Sequence, residues 1–173
     1  GTFSDRSRTL PSGAYTVVGR TSAGEAPARV LPTCTGRFGV VEPLGPCTVR
    51  LSRRRDVAAV DLMPPLRVEE MGLFHQLRLR SQLASQPAPA LDGTFFESWY
   101  GRNASDSPLA LYREMAARGV GAPYTWSVAD RSVEAPDGAR AVVVGTAEWW
   151  EAATSARTVV TNCWLRRTAL KRE

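Results

Sequence analysis

Residues 91–162 decide the fold through four short apolar runs: GTFFES (93–98), PYTWSV (123–128), AVVVG (141–145) and TVVTN (158–162). Glycine, proline and polar turn residues separate these runs, which is typical of buried strands. A helical pattern follows the first run, and another occupies residues 148–156 before the last run. Strands that alternate with helices predict a parallel sheet with right-handed crossovers.

The first of these helices has sequence signals at both ends. Ser107 is predicted as its N-cap and Pro108 as its first residue, where the N–H that proline lacks is not needed. Gly119 or Gly121 is expected to end it. The residues expected on its apolar face are Leu109, Leu111, Tyr112 and Met115. A turn is predicted at residues 136–138, whose sequence is Pro-Asp-Gly.

The N-terminal part of the chain has a different sequence pattern. Strand candidates at residues 15–18, 28–31, 37–41, 48–51 and 57–62 are separated by Gly, Pro and Ser, with no helical pattern between them. This spacing predicts a small antiparallel, sandwich-like module over residues 1–63. Residues 64–90 are predicted as a helix, over 68–83, and a linker, over 85–89. The apolar face of that helix is expected to carry Leu73, Phe74 and Leu77.

Length and composition limit the class of protein. The chain has 173 residues, which suits one domain or slightly more, and it lacks both an apolar run long enough to span a bilayer and a signal peptide. Cys34, Cys47 and Cys163 have no metal-binding spacing. They are interpreted as reduced thiols of a cytosolic protein, with a Cys34–Cys47 disulfide as the alternative. The sequence predicts no metal site and no cofactor.

The charge of the chain favours anionic partners. The net charge is +5, and the positive residues cluster at 53–55, at 78 and 80, at 166–167 and at 171–172. Phosphates or an anionic membrane surface suit such clusters, although an arginine-rich surface that is merely solvated is equally compatible. No zinc-finger, RRM or helix-turn-helix pattern is found, so nucleic acid is not expected as a partner.

The candidate binding site follows from the predicted sheet. Ligands of parallel sheets collect beyond the carboxyl ends of the strands, where residues 99–107 and the end of the last strand are expected to lie. Glycine permits close approach of the backbone, arginine offers a planar fork for phosphate, and a helix N-terminus attracts anions. The predicted substrate-binding residues are Gly101, Arg102, Asn103, Ser105, Ser107 and Asn162. A simple capping role for Ser107 and a simple surface role for Arg102 remain alternatives.

The residues themselves carry a resemblance. Residues 96–112, FESWYGRNASDSPLALY, resemble a segment of the CDP-glycerol:poly(glycerophosphate) glycerophosphotransferases, the teichoic-acid polymerases and primases. Members of that family have a strand ending in Phe-Glu-Ser, a loop with an aromatic residue, glycine and a basic residue, and Ser-Asp-x-Pro opening a helix. The similarity continues at residues 125–130, 138–140 and 156–162, and it covers about residues 67–173.

The resemblance implies a GT-B architecture, in which two Rossmann-like halves enclose the active site. Residues 91–173 are then expected to form the first half, truncated at its C-terminus, while the second half binds the CDP-glycerol donor. The family's Trp-His-Gly motif is expected beyond Glu173, so no catalytic residue is assignable in this chain. The lone histidine, His75, does not match that motif and is interpreted as structural or solvated.

The function implied is transfer of glycerol phosphate, or a related polyol phosphate, from a CDP-activated donor to a polyanionic, lipid-linked teichoic-acid acceptor. Such an enzyme of bacterial cell-wall synthesis is expected in the cytoplasm, peripheral to the inner face of the membrane, and this piece alone is expected to be inactive. Two alternatives remain open. One is a non-catalytic module that binds glycan or wall polymer, and the other is a GT-B glycosyltransferase that uses a different nucleotide donor.

Overall fold

The computed structural model describes residues 9–30, 38–86 and 92–164. The chain divides into two compact units, Gly1–Pro65 and Leu66–Glu173. No helix in the described ranges is long and apolar enough to cross a membrane. Cys47 and Cys163 are free thiols. Several sequence predictions fall outside the described residues: Cys34, residues 31 and 37 of two strand candidates, most of the 85–89 linker, and the basic clusters at 166–167 and 171–172.

The first unit contains two antiparallel sheets. Its strands are β1 (Gly13–Thr16), β2 (Val18–Thr21), β3 (Gly24–Pro27), β4 (Val41–Leu44), β5 (Cys47–Arg54) and β6 (Val57–Met63). One sheet has the order β1-β6-β5-β4, and β2 pairs with β3 in a separate hairpin. The predicted antiparallel, β-rich character of this region is confirmed, and the predicted strands at 48–51 and 57–62 lie within β5 and β6.

Three of the predicted strands in this unit are wrong in detail. The run at 15–18 is split at Val17, because the chain leaves β1 there and enters the separate hairpin. The N–H of Val17 donates to the carbonyl of Ala58, and its own carbonyl accepts from Ala28. Residues 28–30 form no strand, and Arg29 makes only an isolated antiparallel β-bridge with Val57. Residues 38–40 are a turn that precedes β4.

The second unit is built on a parallel sheet. Its elements are a 3₁₀ turn (Val68–Glu70), α1 (Gly72–Ser85), β7 (Asp92–Glu97), a second 3₁₀ turn (Trp99–Gly101), α2 (Asp106–Ala117), β8 (Tyr124–Val128), β9 (Arg140–Val143), α3 (Ala147–Ser155) and β10 (Ala156–Thr161). The strand order is β10-β7-β8-β9, and every adjacent pair is parallel. The predicted Rossmann-like sheet is therefore confirmed.

The core of this unit lies on both faces of the sheet, because neighbouring residues of a strand point to opposite faces. Phe95 belongs to a cluster with residues of α3, and Leu79 and Leu83 of α1 pack against that cluster. Phe96 belongs to the opposite cluster with Tyr112 of α2 and Trp126 of β8. The rings of Phe96 and Trp126 are stacked, with centroids 5.4 Å apart. Helices α1 and α3 thus cover one face, and α2 covers the other.

The predicted apolar face of α1 is wrong. Leu73, Phe74 and Leu77 are 76%, 74% and 48% exposed, whereas Leu79 and Leu83 face the core. Gln76 accounts for this rotation of the helix. Its Nε2 donates to the carbonyl of Gly145, 2.6 Å away, and its Oε1 accepts from the indole Nε1 of Trp150 at 2.8 Å. The Gln76 side of α1 must therefore face α3.

Glu70 joins the start of α1 to the start of α3. Its carboxylate is buried and accepts from the backbone N–H of Ala147, from the backbone N–H of Arg67 at 2.8 Å, and from the guanidinium of Arg67 at 2.9 Å. Burial alone would raise the pKa of Glu70, but the hydrogen bonds from Ala147 and Arg67 together outweigh it and lower the pKa. A negative charge at this position also stabilises the N-terminus of α3.

Candidate functional site

The candidate site lies where the order of strands reverses. From β7 the chain proceeds outward through β8 to β9 and then returns to the other side of β7 to form β10. The carboxyl ends of β7 and β10 therefore lie side by side where the strand order reverses, which is the position at which doubly wound sheets bind their ligands. Residues 98–107 follow β7, and Asn162 follows β10, so all six predicted substrate-binding residues belong to this edge.

Side chains join the two loops directly. The backbone N–H of Trp99 donates to Oδ1 of Asn162 at 3.0 Å, and the backbone N–H of Tyr100 donates to the Sγ atom of Cys163 at 3.0 Å. The Nδ2 group of Asn162 donates to Oδ2 of Asp106 at 3.0 Å. Asn162 thus holds both ends of the loop that follows β7.

The same loop contains four residues in left-handed backbone conformation. Trp99, Tyr100, Gly101 and Asp106 have φ angles of 46°, 59°, 82° and 61°. For residues other than glycine this conformation is unfavourable by about 1–2 kcal/mol each. Strained backbone of this kind occurs preferentially at sites that bind ligands or catalyse reactions.

Gly101 is required by space as well as by conformation. Its carbonyl accepts from the backbone N–H of Ala129 at 2.7 Å, which brings the loop against the end of β8. A Cβ atom at this position would lie 2.7 Å from the nitrogen of Ala129 and 2.9 Å from the carbonyl carbon of Val128. Only glycine therefore allows the loop to pack this closely.

Arg102, Asn103 and Ser105 lie on the outer side of the loop. Ser98 donates through its hydroxyl to the carbonyl of Ser105, at 3.0 Å, and Ser105 donates to Oδ1 of Asn103 at 2.8 Å. These bonds orient the amide of Asn103 beside Arg102. The guanidinium of Arg102 is exposed, and no hydrogen bond or ion pair holds it within residues 9–30, 38–86 and 92–164. It is thus available to an anionic ligand.

The predicted start of α2 is wrong. The helix begins at Asp106 with Ser105 as its N-cap, so Ser107 is its second residue and Pro108 its third. The carboxylate of Asp106 accepts from the backbone N–H of Ser107 at 2.9 Å. This N–H is therefore engaged, and the exposed hydroxyl of Ser107 also donates to Oδ1 of Asp106, at 3.5 Å. Leu111 was predicted on the apolar face of the helix, but it is 49% exposed. Gly119 follows the end of the helix, as expected.

Sequence reasoning missed the contributions of Asp106 and Glu97 to the structure of this edge of the sheet. Asp106 bridges Asn162 and Ser107, and its left-handed φ is a recognised property of aspartate in loops. Below the loop, Glu97 is buried at the end of β7 and accepts from the hydroxyl of Ser127 at 2.8 Å. Ser127 in turn accepts from the indole of Trp149 at 2.8 Å. The Phe-Glu-Ser sequence marked Glu97, but nothing in the sequence indicated its partners.

His75 lies outside this edge of the sheet. It is part of α1, and its Nδ1 atom lies 2.7 Å from the carbonyl of Met71, to which it donates. Met71 is the N-cap of this helix, one turn before His75, so the bond is a local structural contact.

Comparisons with known proteins agree with this geometry. The family model of the CDP-glycerol:poly(glycerophosphate) glycerophosphotransferases matches residues 82–173. No curated protein matches the chain. Among solved structures, the wall teichoic acid polymerase TagF is similar over 57% of this chain, with 26% identity and a TM-score of 0.52. A single-residue variant of the same polymerase is similar over 57%, with 25% identity and a TM-score of 0.52.

The chain spans about a quarter of the length of these polymerase structures, 25% and 24%. The matched residues 82–173 form more than half of the 173-residue chain and contain the whole parallel sheet and the loops at its carboxyl edge. The chain therefore belongs to the CDP-glycerol:poly(glycerophosphate) glycerophosphotransferase family.

Proposed function

We propose that the chain is part of an enzyme that transfers glycerol phosphate, or a related polyol phosphate, from a CDP-activated donor to a teichoic-acid-type acceptor. The observation that carries this proposal is the position of residues 98–107. The segment with the family's sequence pattern forms the loop at the strand-order reversal, and Asn162 fixes that loop to the end of β10. Such a position suits a phosphate-bearing ligand.

In this reaction a hydroxyl of the acceptor attacks the β-phosphorus of the donor. An oxygen–phosphorus bond forms, the bond to the CMP leaving group breaks, and a base takes the proton of the hydroxyl. The step depends on positioning and on positive charge near the phosphoryl oxygens. In the proposal, Arg102 and Asn103 hold acceptor phosphates, Ser105, Ser107 and Asn162 contribute hydroxyl and amide groups or support the loop, and Gly101 sets its shape. In the proposal, the donor-binding site and the base lie outside these 173 residues. The chain alone is therefore inactive.

The proposal predicts that Arg102→Ala weakens binding of an oligo(glycerol phosphate) to the chain about fivefold, because one exposed ion pair contributes about 1 kcal/mol. In the intact enzyme, the same change should raise the acceptor KM and leave the donor KM unchanged. Binding is measured by isothermal titration calorimetry at two salt concentrations, since an ionic contact weakens with salt.

Arg118→Ala is the matched control. Arg118 is an exposed arginine at the far end of α2, where it forms an ion pair with Glu114. Equal loss of affinity in both variants would mean that only the overall charge matters. Unchanged affinity in Arg102→Ala would remove Arg102 from the site. In the intact enzyme, activity with CDP-ribitol or a sugar nucleotide in place of CDP-glycerol would reassign the donor.

We further propose that this enzyme works at the cytoplasmic face of an anionic membrane, and that α1 contacts the lipid. Three neighbouring apolar residues of this helix, Leu73, Phe74 and Leu77, are exposed. Arg78 follows them and is also exposed. Apolar side chains beside positive charge match the chemistry of an anionic bilayer surface, where each basic residue contributes about 1 kcal/mol.

Phe74→Ser should therefore reduce binding to phosphatidylglycerol vesicles about ten- to a hundredfold, because insertion of a phenylalanine side chain contributes about 1.5–3 kcal/mol. Vesicle co-sedimentation measures the effect, and phosphatidylcholine vesicles should bind poorly with or without the change. Leu111→Ser, at an exposed apolar position of α2, is the control and should leave binding unchanged. If both variants lose the same affinity, or if the chain ignores anionic vesicles, α1 is not a lipid contact.

A further inference from the structure

A cleft of about 450 Å³ lies between α2 and the loop that joins β8 to β9. Leu109 and Tyr112 of α2 form one wall, and Ala135 and Pro136 of the loop form the other. This volume lies within the range of about 300–1,000 Å³ that is usual for small-molecule sites. Ala104, which also lines the cleft, lies between Asn103 and Ser105, so the cleft adjoins the candidate phosphate-binding loop, but Arg102 and Asp106 of that loop do not line it.

The two walls are fixed to each other. The hydroxyl of Tyr112, a residue buried in α2, donates to the carbonyl of Asp137 in the loop. Burial raises the pKa of Tyr112, so the hydroxyl remains a donor at neutral pH. Within the loop, the N–H of Ala139 donates to the carbonyl of Pro136 at 3.0 Å, and the N–H of Ser132 donates to Oδ1 of Asp130 at 2.8 Å. The cleft is therefore preformed.

Three charged side chains surround the opening: Arg113, Glu134 and Asp137. All three are exposed, and within the described part of the chain no ion pair or side-chain hydrogen bond engages them. Two carboxylates against one guanidinium give this rim a net negative charge, which opposes an anionic ligand. The groups instead suit a ligand that donates hydroxyl hydrogens to carboxylates and accepts from arginine, while its C–H face packs on the apolar walls.

We propose that this cleft binds an uncharged, polyhydroxylated molecule, namely a sugar ring. Glu134 and Asp137 accept from its hydroxyl groups, Arg113 donates to its oxygens, and Leu109 and Pro136 contact its apolar face. The cleft is thus chemically distinct from the neighbouring loop, where Arg102 is the available cation. This inference rests on the cleft alone and does not require the proposed transfer reaction.

The test is a two-dimensional ¹H–¹⁵N NMR titration of the whole chain with a panel of uncharged mono- and disaccharides, and separately with inorganic phosphate. A sugar is expected to shift the amides of residues 109–113 and 133–138 saturably, with a Kd on the order of 1 mM. The double variant Arg113→Gln/Glu134→Gln should weaken this binding at least fivefold. Arg118→Gln, the same change on the same helix but outside the cleft, should leave it unchanged.

The result that overturns the proposal is equally specific. Absence of saturable shifts at these residues for every sugar of the panel rejects the site, as does preferential binding of phosphate in the cleft. Equal weakening by Arg118→Gln also rejects it. Titration with oligo(glycerol phosphate) keeps the two proposals separate, because binding by the phosphate-binding loop shifts residues 98–103, 105–107 and 161–163 and depends on Arg102.

Discussion

Gly101→Ala is expected to lower the free energy of unfolding of the second unit by about 2–5 kcal/mol. A left-handed φ of 82° is unfavourable for alanine by about 1–2 kcal/mol. The new Cβ atom would also lie 2.7 Å from the backbone nitrogen of Ala129, and overpacking of this kind typically adds about 1–3 kcal/mol. Because the neighbouring atoms are backbone, they cannot rotate away. The loop at the carboxyl edge must shift, so binding of oligo(glycerol phosphate) should be lost as well.

The measurement is equilibrium unfolding in urea, followed by tryptophan fluorescence. All five tryptophans of the chain lie in the second unit, so the signal reports on that unit alone. Gly119→Ala is the matched control, because Gly119 has a φ of 66° and its added Cβ atom would meet nothing within 4 Å. The control should lose only the conformational part, about 1–2 kcal/mol. Equal losses in the two variants would disprove the close packing of Gly101 on Ala129.

Glu70→Gln is expected to destabilise the same unit by about 2 kcal/mol at neutral pH, because hydrogen bonds to a charged group contribute about 1.5–3 kcal/mol. Glutamine retains one acceptor for the N–H of Ala147 or Arg67. Its Nε2 group, however, turns a donor toward the remaining donors of Arg67. Glu69→Gln, an exposed change in the same 3₁₀ turn, should have little effect.

This loss should depend on pH in a defined direction. Since the pKa of Glu70 is lowered in the folded chain, its stabilisation is complete above the ordinary carboxyl pKa of about 4.3 and disappears as the pH falls through the lower, folded value. The stability of the wild-type chain should therefore approach that of Glu70→Gln as the pH falls below about 4.3. Asp61 also has a lowered pKa, chiefly because it accepts from Arg50, but it belongs to the first unit, which contains no tryptophan. A difference that is constant with pH would refute the role of the Glu70 charge.

The sequence predicted the parallel sheet because each of its strands is an apolar run between turn residues, and such runs constrain the chain locally. The prediction failed where two alternative structures of a segment have similar local sequence patterns. Both sides of α1 carry leucine, and the hydrophobic pattern alone favoured the side with Leu73 and Leu77. The bonds of Gln76 turn the other side toward the core. They were not predictable, because its partners, including Gly145, are remote in sequence. The run at 15–18 is uniformly suited to a strand, and only the pairing of Val17 with Ala58 and Ala28 divides it.

The candidate site was predictable to the level of its loops. Glycine at 101 marked the loop after one strand, asparagine at 162 marked the end of another, and the parallel pairing of β7 with β10 brings these segments together. The bonds that join them were not predictable, because Asn162 and Asp106 are separated by 56 residues and the left-handed φ of Asp106 depends on the packed loop. The helix start was misjudged for the same reason. Ser105, rather than Ser107, became the N-cap because Asp106 turns the chain there.

Under the proposed function, the left-handed backbone of Trp99, Tyr100, Gly101 and Asp106 would also affect how an acceptor associates with the loop. Ordering a flexible residue is unfavourable by about 1–2 kcal/mol, because the residue loses conformational entropy. For this loop, the entropy is already lost when the chain folds. A ligand therefore encounters a receptor whose shape is complete, and its association rate should approach that of a rigid surface. Differences in affinity among ligands of this loop should then appear mainly in how slowly they dissociate.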